Sequence, residues 1–176
     1  MIICIDFDGT IVDHCFPEIG KPVPGAIQWM KRLNNHGAKL ILYTMRSDSQ
    51  RFKRVLTDAV EYLKDNGIQL YGVNENPTQL SWTDSPKVYG DVYVDDAALG
   101  CPLIFPKGFN RPCVDWEKVG PELERMWLSR KRKDTPLKDS FYICFIDSLL
   151  QIMHEVMRWL ASIDGVSSFT KMHNYG

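Results

Sequence analysis

The sequence has no excess of either charge: 21 Lys and Arg stand against 22 Asp and Glu, a formal net charge of -1. Such a balance gives no general pull toward nucleic acid or an anionic membrane, so neither is expected as a partner. Cys-x-x-Cys pairs are missing, and the five cysteines, Cys4, Cys15, Cys101, Cys113 and Cys144, are odd in number and stand apart. This argues against a zinc ribbon or a disulfide framework and for a reducing compartment, with the thiols as small buried hydrophobes. No uninterrupted apolar stretch approaches the roughly 20 residues that span a bilayer. Residues 140–160 are apolar, but Asp147, His154, Glu155 and Arg158 interrupt them. The N-terminus lacks a basic start and its apolar run ends at Asp6, which does not fit a signal peptide. The expectation is a soluble, cytoplasmic protein, and 176 residues suit one compact domain with an appendage.

What is present is a run of short β-type segments alternating with helical ones. Ile2–Ile5 is continuously apolar, as in a central parallel strand. Residues 7–20 read as a loop with a short excursion. Pro24 suits a first helical turn, Ala26, Ile27, Met30 and Leu33 follow at helical spacing, and Gly37 ends that helix. Residues 38–43 form a second strand ending at Thr44. Ser47, Asp48 and Ser49 are helix-start residues, and the apolar positions from Phe52 to Leu63 mark a second helix closed by Asn66-Gly67. Residues 68–73 and 92–94 are a third and a fourth strand, with a polar loop over 74–86 between them, and 102–105 offer a short fifth. This alternation predicts βαβ units, a doubly wound parallel sheet of Rossmann type, and ligands at the carboxyl ends of the strands.

Three of the strands end in residues that carry chemistry. Asp6 and Asp8 lie two apart in one loop, where two carboxylates repel unless a cation lies between them. Mg2+ is the natural candidate, because it takes oxygen ligands, few protein carboxylates and phosphate oxygens. Gly9 permits a tight turn after the pair. Asp95 and Asp96 form a second acidic pair after a second buried strand, and four carboxylates at one sheet end again require positive charge. Thr44 offers a hydroxyl, and the loop after it, with Met45 and Arg46, offers donors for a phosphate oxygen. Lys87 offers an ammonium to neutralise the nucleophile. Arg46, Asp13, His14 and Trp82 are candidates for the mouth of the site, with Arg46 meeting a second anionic group.

Taken in order, Asp6-Phe7-Asp8-Gly9-Thr10, Thr44, Lys87 and Asp95-Asp96 resemble the four motifs of the haloacid dehalogenase-like (HAD) superfamily, over about residues 1–115. The resemblance implies a magnesium-dependent phosphatase, a hydrolase of phosphate monoesters. Asp6 would be the nucleophile that becomes an aspartyl-phosphate. Asp8 would be the acid and base, with its backbone carbonyl on the metal. Thr44 and Lys87 would complete the catalytic set, and Gly9, Thr10, Met45 and Arg46 would contact the phosphorylated substrate. Asp6, Asp8, Asp95 and Asp96 would bind the metal, Asp96 directly and Asp95 through water. An acid at position 8 is what phosphatases of this superfamily carry, whereas its dehalogenases lack it and its ion pumps have Thr there. Residues 13–22 leave room only for a flap and 74–86 only for a loop, so a large cap domain is not expected. The alternative is a non-catalytic phosphate- or protein-binding module on the same scaffold. A receiver-type signalling domain disagrees with the motif order.

The catalytic domain is assigned to 1–125 and an extension to 126–176. In the extension, the run Arg130-Lys131-Arg132-Lys133 reads as a solvated linker rather than a nucleic-acid contact or an import signal. A helix is predicted over about 137–163, where Tyr142, Ile146, Leu149, Met153, Val156, Leu160 and Ile163 repeat at spacings of four and three. That face would pack on the catalytic domain or make a homo-oligomer.

Overall fold

The structure, a computed structural model, describes residues 1–134 and, beyond them, Met153. Residues Met1–Arg130 form one compact unit; the second, Lys131–Gly176, falls almost wholly outside the described residues. Apart from Met153, which is helical, the helix predicted over 137–163 and any oligomer made through it lie outside them too.

Four parallel strands form the main sheet: β1 (Ile2–Ile5), β2 (Lys39–Leu42), β3 (Leu70–Val73) and β4 (Val92–Val94), in the order β3-β2-β1-β4. Helix α1 (Ala26–Asn35) links β1 to β2 and α2 (Val55–Asp65) links β2 to β3. The chain is thus an α/β protein with a parallel sheet, as the alternation of segments predicts.

Strand alternation sorts the core into two faces. Ile3, Ile5, Leu40, Leu42 and Val94 pack in one cluster with Met30 and Leu33 of α1 and Ala59 and Leu63 of α2. Cys4 and Ile41 point the other way and pack with Val88 in a smaller cluster. That second face is covered by the crossover from β3 to β4, which carries one short 3-10 turn (Gln79–Ser81). The winding direction reverses between β1 and β4, and among the described residues the helices share one face. The crossover is short, and Gly90 lets it approach closely, since a Cβ there would lie 2.6 Å from the Cys4 sulfur.

Two further differences have physical causes. Residues 103–104 (β5) do not extend the main sheet; they pair antiparallel with 113–114 (β6). Helix α2 starts at Val55, because residues 47–54 loop away before Asp48 caps it from outside, accepting from Leu56 N–H at 2.7 Å and Thr57 N–H at 3.2 Å.

Residues 116–134 form a third helix, α3 (Trp116–Asp134), which the sequence reading did not anticipate. Trp116, Leu123 and Trp127 join the main core. The compact unit therefore extends past residue 125, and the basic run 130–133 is helical rather than a linker. Arg130 pairs with Asp91 at 2.6 Å. No helix among the described residues is long and apolar enough to cross a membrane.

Candidate functional site

The site forms where β1 and β4 end side by side. Ile5 is in register with Val94 on one side and Leu42 on the other, which sets Asp6 level with Asp95 and Tyr43. Asp6 N–H donates to Val94 O at 2.9 Å and Tyr43 N–H to Ile5 O at 2.8 Å, so these strand ends are fixed by backbone bonds. A crevice at the reversal of winding in an open parallel sheet is where such folds bind ligands.

One carboxylate oxygen from each of Asp6, Asp95 and Asp96 lies within 4.8 Å of the others. Burial pushes the Asp6 carboxyl up to about 7, with the charges of Asp95, Asp8 and Asp96 adding to it and the Phe7 N–H opposing it. No Lys or Arg among the described residues pairs with these three carboxylates; only His14 Nε2 touches one, Asp96 Oδ2 at 3.0 Å. Crowded oxygen donors of this kind are a donor set that could hold a metal ion. Asp95 and Asp96 both reach the cluster, and Asp95 Oδ1 also accepts from Ala97 N–H at 2.8 Å.

The carboxylate of Asp8 is not part of this group of three. It faces Arg46, whose Nε and Nη2 donate to its two oxygens at 2.7 Å each. The remaining Arg46 donors reach Pro17 O at 3.0 Å, Val55 O at 3.4 Å and Glu18 O at 2.8 Å. All five guanidinium N–H groups are thus engaged. The side chain is 1% exposed and lies against the rings of Phe7 and Phe16. The expectation that Arg46 meets an anionic group of the substrate is corrected: it is turned inward, where it fixes the plane of Asp8 and ties the 16–18 loop to the start of α2.

Gly9 and Thr10 are also structural rather than substrate-facing, since both are buried. Gly9 has φ +86°, and a Cβ there would fall 2.2 Å from His14 Nε2 and 2.6 Å from Asp96 Oδ2. Only glycine lets the loop pass this close to the acidic group. Thr10 Oγ1 accepts from Asp96 N–H at 3.2 Å, joining the β1 loop to the β4 loop. Trp116 Nε1 donates to Thr10 O at 2.7 Å from a fully buried ring. Asp13 is buried and accepts from Asn110 N–H at 3.0 Å, which makes it a loop anchor.

Thr44 lies at the end of β2. Its Oγ1 accepts from Arg46 N–H at 3.2 Å and keeps its own proton to donate. Asn74 clamps it, accepting from Thr44 N–H at 2.8 Å and donating to Thr44 O at 2.9 Å. The sequence reading missed Asn74. Its signal was an Asn at a strand end, a residue type that tolerates the left-handed backbone found there, φ 53°. Met45 is 96% exposed. Lys87 is exposed and forms no ion pair with Asp6. Trp82 packs edge-on against Tyr89, with ring centroids 5.5 Å apart.

No protein-family model matches the chain, and no curated protein matches it. A solved structure to which it is similar is that of a conserved protein from Bacteroides thetaiotaomicron. It is 29% identical, with a TM-score of 0.57, over 72% of this chain and 91% of that one.

Proposed function

We propose that the chain is a Mg2+-dependent phosphohydrolase of the haloacid dehalogenase-like type, without a large cap, that cleaves a phosphate monoester through a phosphoryl group carried on Asp6. The observation that supports it most is the convergence of Asp6, Asp95 and Asp96 on one point at the β1/β4 reversal, beside the Thr44 strand end.

Asp6 Oδ attacks phosphorus, the P–O bond to the leaving group breaks, and Asp8 delivers a proton to the departing oxygen. Asp8 then takes a proton from water, whose oxygen attacks phosphorus and releases Asp6 and inorganic phosphate. Arg46 holds the carboxyl plane of Asp8 for both transfers, leaving each Asp8 oxygen a second lone pair. The Thr44 hydroxyl and the N–H groups of its loop stabilise the charge on the transferring phosphoryl oxygens. Mg2+ held by Asp6, Asp95 and Asp96, when bound, supplies the positive charge that keeps Asp6 ionised near neutral pH and offsets phosphate repulsion. Lys87 carries no step.

The test is hydrolysis of p-nitrophenyl phosphate and of a panel of phosphorylated metabolites, with Mg2+ and with chelator. Turnover should require the metal, vanish in Asp6→Asn, and fall by about 10²–10⁴ in Asp8→Asn. Undiminished turnover in folded Asp6→Asn would reject the mechanism.

A further inference from the structure

On the sheet face that carries no α-helix among the described residues, the candidate nucleophile has an aromatic neighbour. Strand alternation places Asp6 on the face of Cys4, and Tyr43 on the face of Ile41, which is the same one. The register makes Tyr43 and Asp6 direct cross-strand neighbours, with Thr44 the next residue along. Tyr43 is 39% exposed although it borders the sheet. Its ring stands edge-on to Tyr93, with centroids 6.1 Å apart and planes at 63°. Tyr93 is itself locked: its hydroxyl donates to Val88 O at 2.5 Å and accepts from Gly90 N–H at 3.2 Å. A fixed ring thus supports an open one beside the phosphoryl site. The polar group next to it, the Asn74 amide, is engaged on the Thr44 backbone. On the opposite side the loop of residues 7–22 closes over the acids through His14.

We propose that Tyr43, backed by Tyr93, is the subsite for the leaving group, and that it takes the flat face of a nucleobase, making the substrate class nucleoside monophosphates. This rests on the phosphohydrolase reading above. A phosphoryl group seated at Asp6 and Thr44 leaves its ester substituent on the Tyr43 side. An exposed aromatic face backed by a fixed ring suits stacking by a planar base better than a sugar rich in hydroxyls. Among the described residues no large cap is present, so this surface is what the leaving group meets.

The experiment compares AMP with ribose 5-phosphate, which differ by the base. Binding with Mg2+ is measured by calorimetry in the full chain carrying Asp6→Asn, so that no turnover intervenes. AMP should bind about tenfold tighter. Adding Tyr43→Ala should erase that difference, and Tyr43→Phe should retain it. Equal affinity for the two ligands, no binding of either, or a preference that survives Tyr43→Ala overturns the proposal. Turnover by the wild-type chain is read separately. Hydrolysis without base preference removes the subsite and leaves the phosphohydrolase standing; base preference without hydrolysis does the reverse.

Discussion

Replacing Arg46 with Met tests whether the site is built around a buried guanidinium. The side chain is 1% exposed and donates twice to Asp8, at 2.7 Å each. It also donates to Pro17 O, Val55 O and Glu18 O at 3.0, 3.4 and 2.8 Å. Met fills similar volume but strands a half-buried carboxylate and three carbonyls. Breaking a buried pair by removing one partner costs about 3–5 kcal/mol. Asp8 is partly reached by water, which lowers this figure, while the carbonyls add about 1 kcal/mol each. A net loss of about 3–5 kcal/mol is expected. With a urea slope of about 2 kcal/mol/M, the unfolding midpoint at pH 7.5 should fall by about 2 M. A double-mutant cycle with Asp8→Asn should give a coupling of about 2 kcal/mol or more. Arg46→Lys should recover little, since a point charge cannot bridge both carboxylate oxygens and reach three carbonyls. A midpoint within about 0.5 M of wild type, or an additive cycle, would refute this account of the loop.

The metal-free protein should lose stability as pH rises from about 4 to about 7, then level off. Asp6 moves from an ordinary 3.8 up to about 7, so the folded chain holds a proton that the unfolded chain has released; the effect is at most about 4 kcal/mol. Melting in chelator should show this slope in wild type and not in Asp6→Asn, with Mg2+ restoring stability most above pH 7; identical slopes would contradict it. Gly9→Ala should cost about 1–3 kcal/mol from its positive φ alone, and it should also displace His14 and Asp96, abolishing Mg2+ binding by calorimetry. Trp116→Phe should destabilise by about 1–3 kcal/mol, because Thr10 O loses its buried donor; a change below about 0.5 kcal/mol in chemical denaturation would show that the carbonyl finds another partner.

The parts of this fold that could be read from sequence are those set by local pattern. Continuous apolar runs ending in Asp6, Thr44 and Asp95 mark strands whose ends converge, and they do. The helices α1 and α2 were visible because their apolar residues repeat at helical spacing within one face. Helix α3 was hidden by Pro121 inside it and by a charged C-terminal half, although Trp116 and Trp127 anchor it in the core. Arg46 shows a deeper limit. An Arg two residues past a strand-ending Thr fits an anion contact, and only the positions of Asp8 and the 16–18 loop turn it inward. The crossover from β3 to β4 without an α-helix was legible too, in the polar loop over 74–86.

The most direct measurement is the fate of the phosphoryl group during turnover. Acid quenching with a phosphorus-labelled substrate and Mg2+, followed by digestion and mass spectrometry, should place a hydroxylamine-sensitive label on the peptide containing Asp6 and none on Asp6→Asn. Label on another residue, or wild-type rates from Asp6→Asn, would contradict the account.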